Sequence, residues 1–184
     1  MQSETNRIEN KEQLNEEFEQ EVIAFLNYKE GGIIYVGINK NGQVVGVDNT
    51  DLTQLQIKDR IKNNIQPSTL GLFDVTVETI DNKEVIKVII SSGTEKPYYL
   101  RKRGRTPEGC YIRVGSSKER MTEKMIDDIK NELNAMAEAD YRDFSKKLIP
   151  EASLPLLGVR LPALRAAAAE IVKRGRGDEF LREC

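Results

Sequence analysis

The first regular pattern along the chain lies between Gln13 and Tyr28. Leu14, Phe18, Val22, Phe25 and Leu26 recur there at steps of three and four, while Glu12, Glu16, Glu17, Glu19 and Glu21 fill the other positions. That spacing predicts an amphipathic helix, and the pair Gly31-Gly32 just beyond it predicts its end. Two β-rich runs follow, Ile33 to Ile38 and Gln43 to Val47, around Asn39-Lys40-Asn41-Gly42. An Asn-Gly turn between such runs is a strong local hairpin signal. Leu52, Leu55, Ile57 and Ile61 predict a second helix, starting near Thr50 or Asp51 and ending before Pro67.

Phe73 to Ile80 and Glu84 to Ile90 alternate as strands do and are joined by the tight turn Asp81-Asn82-Lys83. A last pair of runs, Tyr98 to Arg103 and Cys110 to Val114, brackets a turn from Gly104 to Gly109. The order predicts an α+β fold: a mixed β-sheet of about six strands with two packed helices, in a domain of residues 1–120. After it no strand pattern appears. Met121 to Ile149 reads as helix, with Thr122 as N-cap and Pro150 as stop, and Leu164, Ala168, Ile171 and Val172 mark another. Residues 121–184 are thus expected to form an all-helical C-terminal tail, too small to bury much core alone.

Composition narrows the chemistry. The 184 residues contain no histidine, no tryptophan and two cysteines, Cys110 and Cys184. That excludes Ser-His and Cys-His nucleophile pairs, a histidine general base and His-containing zinc sites. Two cysteines make neither a four-thiolate site nor a secreted disulfide framework. No apolar run has the length of a signal peptide or a membrane span, so the expectation is a soluble, cytoplasmic protein with no membrane partner.

Charge changes the picture more. The formal net charge is −2, yet residues 1–30 hold eight glutamates against Arg7, Lys11 and Lys29, a local balance of −5. Residues 96–120 carry eight Lys and Arg against Glu108 and Glu119, a balance of +6, interleaved with Tyr98, Tyr99 and Tyr111. Basic side chains and aromatics on a protruding hairpin suit phosphate contact and base stacking. The candidate nucleic-acid-binding residues are Arg101, Lys102, Arg103, Arg105, Arg113 and Lys118, with Tyr98 or Tyr111 to stack. The alternative is a solvated hairpin whose arginines pair with the acidic helix. The turn Gly115-Ser116-Ser117, beside Arg113, offers amides and hydroxyls to a phosphate or other anion, or is an ordinary strand-ending turn.

Four blocks resemble the Schlafen/AlbA-like DNA-binding domain of bacterial regulators, sometimes labelled ATP-binding. They are Ser3 to Lys11 (SETNRIENK), Ile23 to Gly32 (IAFLNYKEGG), Ile34 to Ile38 (IYVGI) with Val45-Gly46-Val47, and Tyr111 to Ser117 (YIRVGSS). The resemblance spans residues 3–118 and implies a DNA- or RNA-binding module of a transcriptional regulator. Its Schlafen branch includes metal-dependent ribonucleases that use two glutamates and an aspartate. Glu4 and Glu9 match the two glutamates, which implies an alternative Mg- or Mn-dependent RNase, whereas Asn39 stands where the third carboxylate belongs. Asn10 likewise replaces the aromatic usual in the first block. The expectation is therefore a binding protein without a cofactor rather than an enzyme. No Gly-x-x-x-x-Gly-Lys-Ser/Thr loop accompanies the ATP label.

A second resemblance begins near Met125. Asp140 to Pro150 (DYRDFSKKLIP) and Leu157 to Arg165 (LGVRLPALR) are similar to the N-terminal end of AlkD-like DNA alkylation repair proteins, which are all-helical repeat glycosylases. Only their opening helices are covered, and the catalytic part lies downstream. A fusion, a truncated frame or an engineered chain is implied, with homo-oligomerisation through the tail as one consequence.

Overall fold

A computed structural model of the chain describes residues 4–132 together with positions 135 and 139. Two compact units divide it, Met1–Glu132 and Leu133–Cys184. The tail helices and the AlkD-like segments expected beyond 132 lie outside the described residues, apart from helical backbone at 135 and 139.

The first unit is α+β. In chain order it contains β1 (Ile8–Lys11), α1 (Phe18–Asn27), β2 (Gly32–Val36), α2 (Thr50–Asn64), β3 (Ile65–Gln66), β4 (Phe73–Ile80) and β5 (Lys83–Ile90). It continues with β6 (Tyr99–Leu100), β7 (Tyr111–Val114) and β8 (Ser117–Arg120). A third helix, α3, begins at residue 123. The main sheet has four strands, not six, in the order β1-β2-β5-β4; β3-β6 and β7-β8 form separate two-stranded ribbons.

Strand β2 explains the largest departure from expectation. Ile8 of β1 faces Ile33 in parallel register, and Ile34 of β2 faces Val88 of β5 in antiparallel register. A strand has two hydrogen-bonding edges, and both edges of β2 are taken. The Asn39–Gly42 turn still forms, with the Asn39 N–H donating to the Gln43 carbonyl, but the expected hairpin shrinks to one bridge, Ile38 with Val44. Val47 instead donates to the Glu84 carbonyl. The β4–β5 hairpin forms as its turn demands, with Asp81 and Asn82 at φ 50° and 60°.

The last expected hairpin is also redistributed. Arg103 and Gly104 donate back to the Leu100 carbonyl, so the chain turns at Arg101 rather than extending to Arg103. β6 pairs with β3, β7 pairs with β8, and only the Leu100 N–H to Gly109 carbonyl bond joins the two runs.

Helix α1 is central rather than amphipathic at a surface. Phe18, Val22, Ile23, Phe25 and Leu26 are fully buried, packed with Ile34, Val36, Ile86, Val88 and Ile90 of the sheet. Glu19, Glu21 and Asn27 are buried as well. Gly32 allows the close approach, because a Cβ there would run into the Phe25 ring. On α2, capped by Asn49 accepting from the Leu52 N–H at 3.0 Å, Ile57 and Ile61 enter the core while Leu52 and Leu55 stay exposed. A smaller cluster of Tyr35, Ile38 and Val85 covers the other sheet face. Cys110, Met121 and Ile126 make a third, carrying the core past residue 120 into α3.

Asn27 ties the ribbons to this framework. Its Nδ2 donates to the carbonyls of Tyr98 (2.9 Å) and Tyr111 (2.8 Å), and its Oδ1 accepts from the Tyr98 N–H at 2.7 Å. Asn27→Ala leaves those buried backbone groups without partners and is expected to cost about 2–4 kcal/mol, read from urea unfolding. An unchanged midpoint would show that the ribbons hold without it.

Candidate nucleic-acid interface

The basic segment divides into two groups. Arg113, from β7, is 3% exposed. Its Nη1 reaches Glu9 at 3.0 Å and Glu21 at 3.4 Å, and its Nη2 donates to the carbonyls of Thr5 (3.0 Å) and Ser116 (2.7 Å). The guanidinium also lies 4.7 Å from the centroid of the Phe25 ring. Lys118, from β8, donates to Glu17 at 2.6 Å and Glu21 at 2.9 Å, and Lys11 contacts Glu9 at 2.8 Å and Glu21 at 3.0 Å. Three carboxylates and three cations therefore balance within one network. Arg113 and Lys118 are thus withdrawn from the expected phosphate contacts, and the pairing with the acidic helix holds for both.

The aromatic assignments change too. Tyr98 is fully buried, and Tyr111 is buried with its hydroxyl donating to the Glu108 carbonyl at 3.2 Å, so neither presents a face for stacking. Tyr99 is the half-buried ring, with the Arg105 guanidinium 5.5 Å from its centroid. In the Gly115-Ser116-Ser117 turn, the Ser116 carbonyl is engaged by Arg113 and the three residues are otherwise exposed. Lys96 donates to the Ser92 hydroxyl at 2.8 Å, and burial pushes its amine below the ordinary value.

The second group is free. Arg101, Lys102, Arg103 and Arg120 are exposed and have no carboxylate partner among the described residues. They line a groove of about 930 Å³ together with Glu16 and Glu17, just before α1, and Asn63 and Asn64 at the end of α2. Leu100 and Tyr111, both buried, also line it. Between the helices, Glu19 accepts from Arg60 Nε and Asn64 Nδ2, each at 2.8 Å. Burial pushes the Glu19 carboxyl up, but the hydrogen bonds from Arg60 and Asn64 outweigh it and hold it below its ordinary value. Sequence reasoning missed Arg120, Glu16, Glu108 and Tyr99. Alternation would have found Tyr99, because Tyr98 and Tyr99 on one extended segment face opposite ways.

The carboxylates of the first block do not suit a divalent cation. Glu4 is exposed and Glu9 is buried against Lys11 and Arg113, whose charges already neutralise it. Asn39 spends its Oδ1 on the N–H groups of Asn41 and Gln43 and its Nδ2 on the Gln43 side chain. Among the described residues no three acidic or thiol groups converge as a metal site. Cys110 is buried, and burial pushes its thiol up to about 11, far from a reactive thiolate.

The Schlafen, AlbA_2 description matches residues 4–122, nearly two-thirds of the chain. The chain belongs to the Schlafen, AlbA_2 family. Among solved structures it is similar to a Corynebacterium diphtheriae protein, at 18% identity and TM-score 0.48, over 63% of this chain and 22% of that one. It is also similar to the N-terminal domain of a RecG-related protein from Nitrosomonas europaea, at 25% identity and TM-score 0.44, over 63% of this chain and 82% of that one. The chain thus spans about a fifth of the Corynebacterium protein. No curated protein matches it. No helix among the described residues is long and apolar enough to cross a membrane.

The buried network sets two expectations. Arg113→Ala leaves Glu9, Glu17 and Glu21 with only Lys11 and Lys118, one buried carboxylate in excess, and should cost about 3–5 kcal/mol of stability, measured by denaturant titration. A loss within experimental error would mean that Lys11 and Lys118 suffice. Glu19, held below 4.5, contributes stability that is full above that pH and lost as pH falls through its folded value. Burial works against the charged forms of Lys11 and Lys118, yet their glutamate partners raise both above 10.5, so that contribution is present below 10.5 and lost as pH rises through the folded values. The unfolding midpoint should stay level from about pH 4.5 to about 9, above which the buried Cys110 thiol, held protonated up to about 11, begins to cost stability as well; a steady decline across neutral pH would contradict this.

Proposed function

We propose that this domain is a nucleic-acid-binding module, with DNA the expected target, that grips phosphates through the turn Arg101-Lys102-Arg103 together with Arg105 and Arg120. The observation that carries the reading is the sorting of charge. Of the cations in residues 96–120, Arg113 and Lys118 are neutralised internally, while those at 101–103 and 120 line one groove with no carboxylate partner. Exposed, unpaired Arg and Lys on a turn give the field and reach that phosphate contact requires. Membership of the Schlafen, AlbA_2 family supports the same class of ligand. The setting would be a bacterial transcriptional regulator, as the resemblance implies. Binding here needs neither a metal nor a covalent step.

Each phosphate contact releases condensed counterions, so affinity must fall with salt. In fluorescence anisotropy with a mixed-sequence oligonucleotide, Arg101→Ala, Lys102→Ala and Arg103→Ala together should weaken binding. They should also reduce the slope of log affinity against log salt by about 2–3. Arg120→Ala alone should reduce it by about 1. Binding indifferent to salt, or untouched by the triple substitution, overturns the proposal.

A further inference from the structure

The groove is not uniformly basic. Glu16, just before α1, and Glu108, in the loop before β7, line it alongside Arg101, Lys102, Arg103 and Arg120. Neither carboxylate has a side-chain partner among the described residues, whereas Glu17 and Glu19 are held by Lys118 and Arg60. A site serving only phosphates gains nothing from free carboxylates, since each repels the ligand. Their presence beside four free cations asks for a ligand that carries both anionic groups and hydrogen-bond donors. Leu100 and Tyr111 add apolar surface to the groove's lining.

We propose that the groove takes a single-stranded run of nucleic acid and reads the exocyclic amino groups of its bases with Glu16 and Glu108. A nucleotide has the required polarity: phosphate oxygens for the arginines, and, in cytosine, adenine and guanine, an amino group that donates to a carboxylate. Thymine and uracil lack that group; their one edge donor, the N3 imino N–H, sits between two carbonyl oxygens, which the carboxylates repel. A volume of about 930 Å³ is at the upper end of the roughly 300–1,000 Å³ usual for small-ligand sites and admits a few splayed nucleotides. A duplex fits poorly, because its bases stay stacked and paired and their amino groups are already shared with the opposite strand. The inference rests on the phosphate-binding reading above and goes one step further, to strand state and base class.

The test is competition among labelled deoxycytidine and deoxythymidine homopolymers of equal length and a duplex of that length, measured by anisotropy with the full chain. Wild-type protein should bind the deoxycytidine strand about fivefold or more tighter than the deoxythymidine strand, and the duplex most weakly. Glu16→Ala with Glu108→Ala, both at exposed positions, should tighten deoxythymidine binding and bring the two strands to within about twofold. Circular dichroism and an unchanged urea midpoint confirm that the variant is folded. Salt-dependent binding of both homopolymers with equal affinity overturns the base reading and leaves phosphate binding standing. A duplex that binds as tightly as the single strands, or a preference that survives in the variant, also overturns it. Absence of salt-dependent binding to any of the three overturns both readings.

Discussion

One buried guanidinium decides how the rest of the charge is distributed. Arg113 reaches from β7 to Glu9 on β1 and Glu21 on α1, while its second nitrogen holds the carbonyls of Thr5 and Ser116. Taking that cation out of water costs several kcal/mol, which is recovered only if its donors find partners in good geometry. A planar fork can serve carboxylates on one side and carbonyls on the other, and lysine, a point charge on a flexible stem, cannot. The contact with the Phe25 face fixes the plane of the fork. Three of the blocks that carry the family resemblance meet here: the first through Glu9, the second through Phe25, and the last through Arg113.

The functional consequence lies in what the network leaves over. A segment with a balance of +6 in the sequence looks like one continuous basic surface. Folding hides Arg113 and pairs Lys118, so the remaining field concentrates at the turn after β6 and at the end of β8. Asn27 then matters for more than stability. By bonding the backbones of Tyr98 and Tyr111 it fixes the segments on either side of the basic turn against α1. The groove is therefore built on a packed helix, although its cations sit on a loop, and such support preserves the geometry of a binding site.

How much of this was legible in the sequence depended on how local the cause was. Helix α2 and the β4–β5 hairpin were readable because their signals, the apolar spacing from Leu52 to Ile61 ahead of Pro67 and the turn at Asp81-Asn82, act over a few residues. Strand β1 was not, because Ile8-Glu9-Asn10-Lys11 holds a single apolar residue and becomes a strand only by pairing with β2. The same pairing made the Asn39–Gly42 hairpin misleading. Its turn chemistry was sound, but competition for the edges of β2 is a tertiary matter that no local window contains. In the site, the free cations at 101–103 were legible as charge. That Arg113 and Lys118 were neutralised depended on contacts about a hundred residues away in sequence.

The acidic run before and within α1 shows why counting charges without their phase misleads. Successive helical residues turn by about 100°, so glutamates adjacent in sequence serve different neighbours. Glu17 and Glu21, four apart, share a face and both meet Lys118. Glu19, between them, points the other way and holds Arg60 of α2. Glu16, one residue ahead of that series, borders the groove without a partner. From Glu16 to Glu21, a segment that reads as one block of negative charge is thus two structural clamps and one exposed acceptor. Free cations consequently outnumber free carboxylates in the groove, although the chain as a whole is negative. That local surplus, rather than the net charge, is what an approaching polyanion meets, because charges beyond about 10 Å are largely screened at ordinary ionic strength.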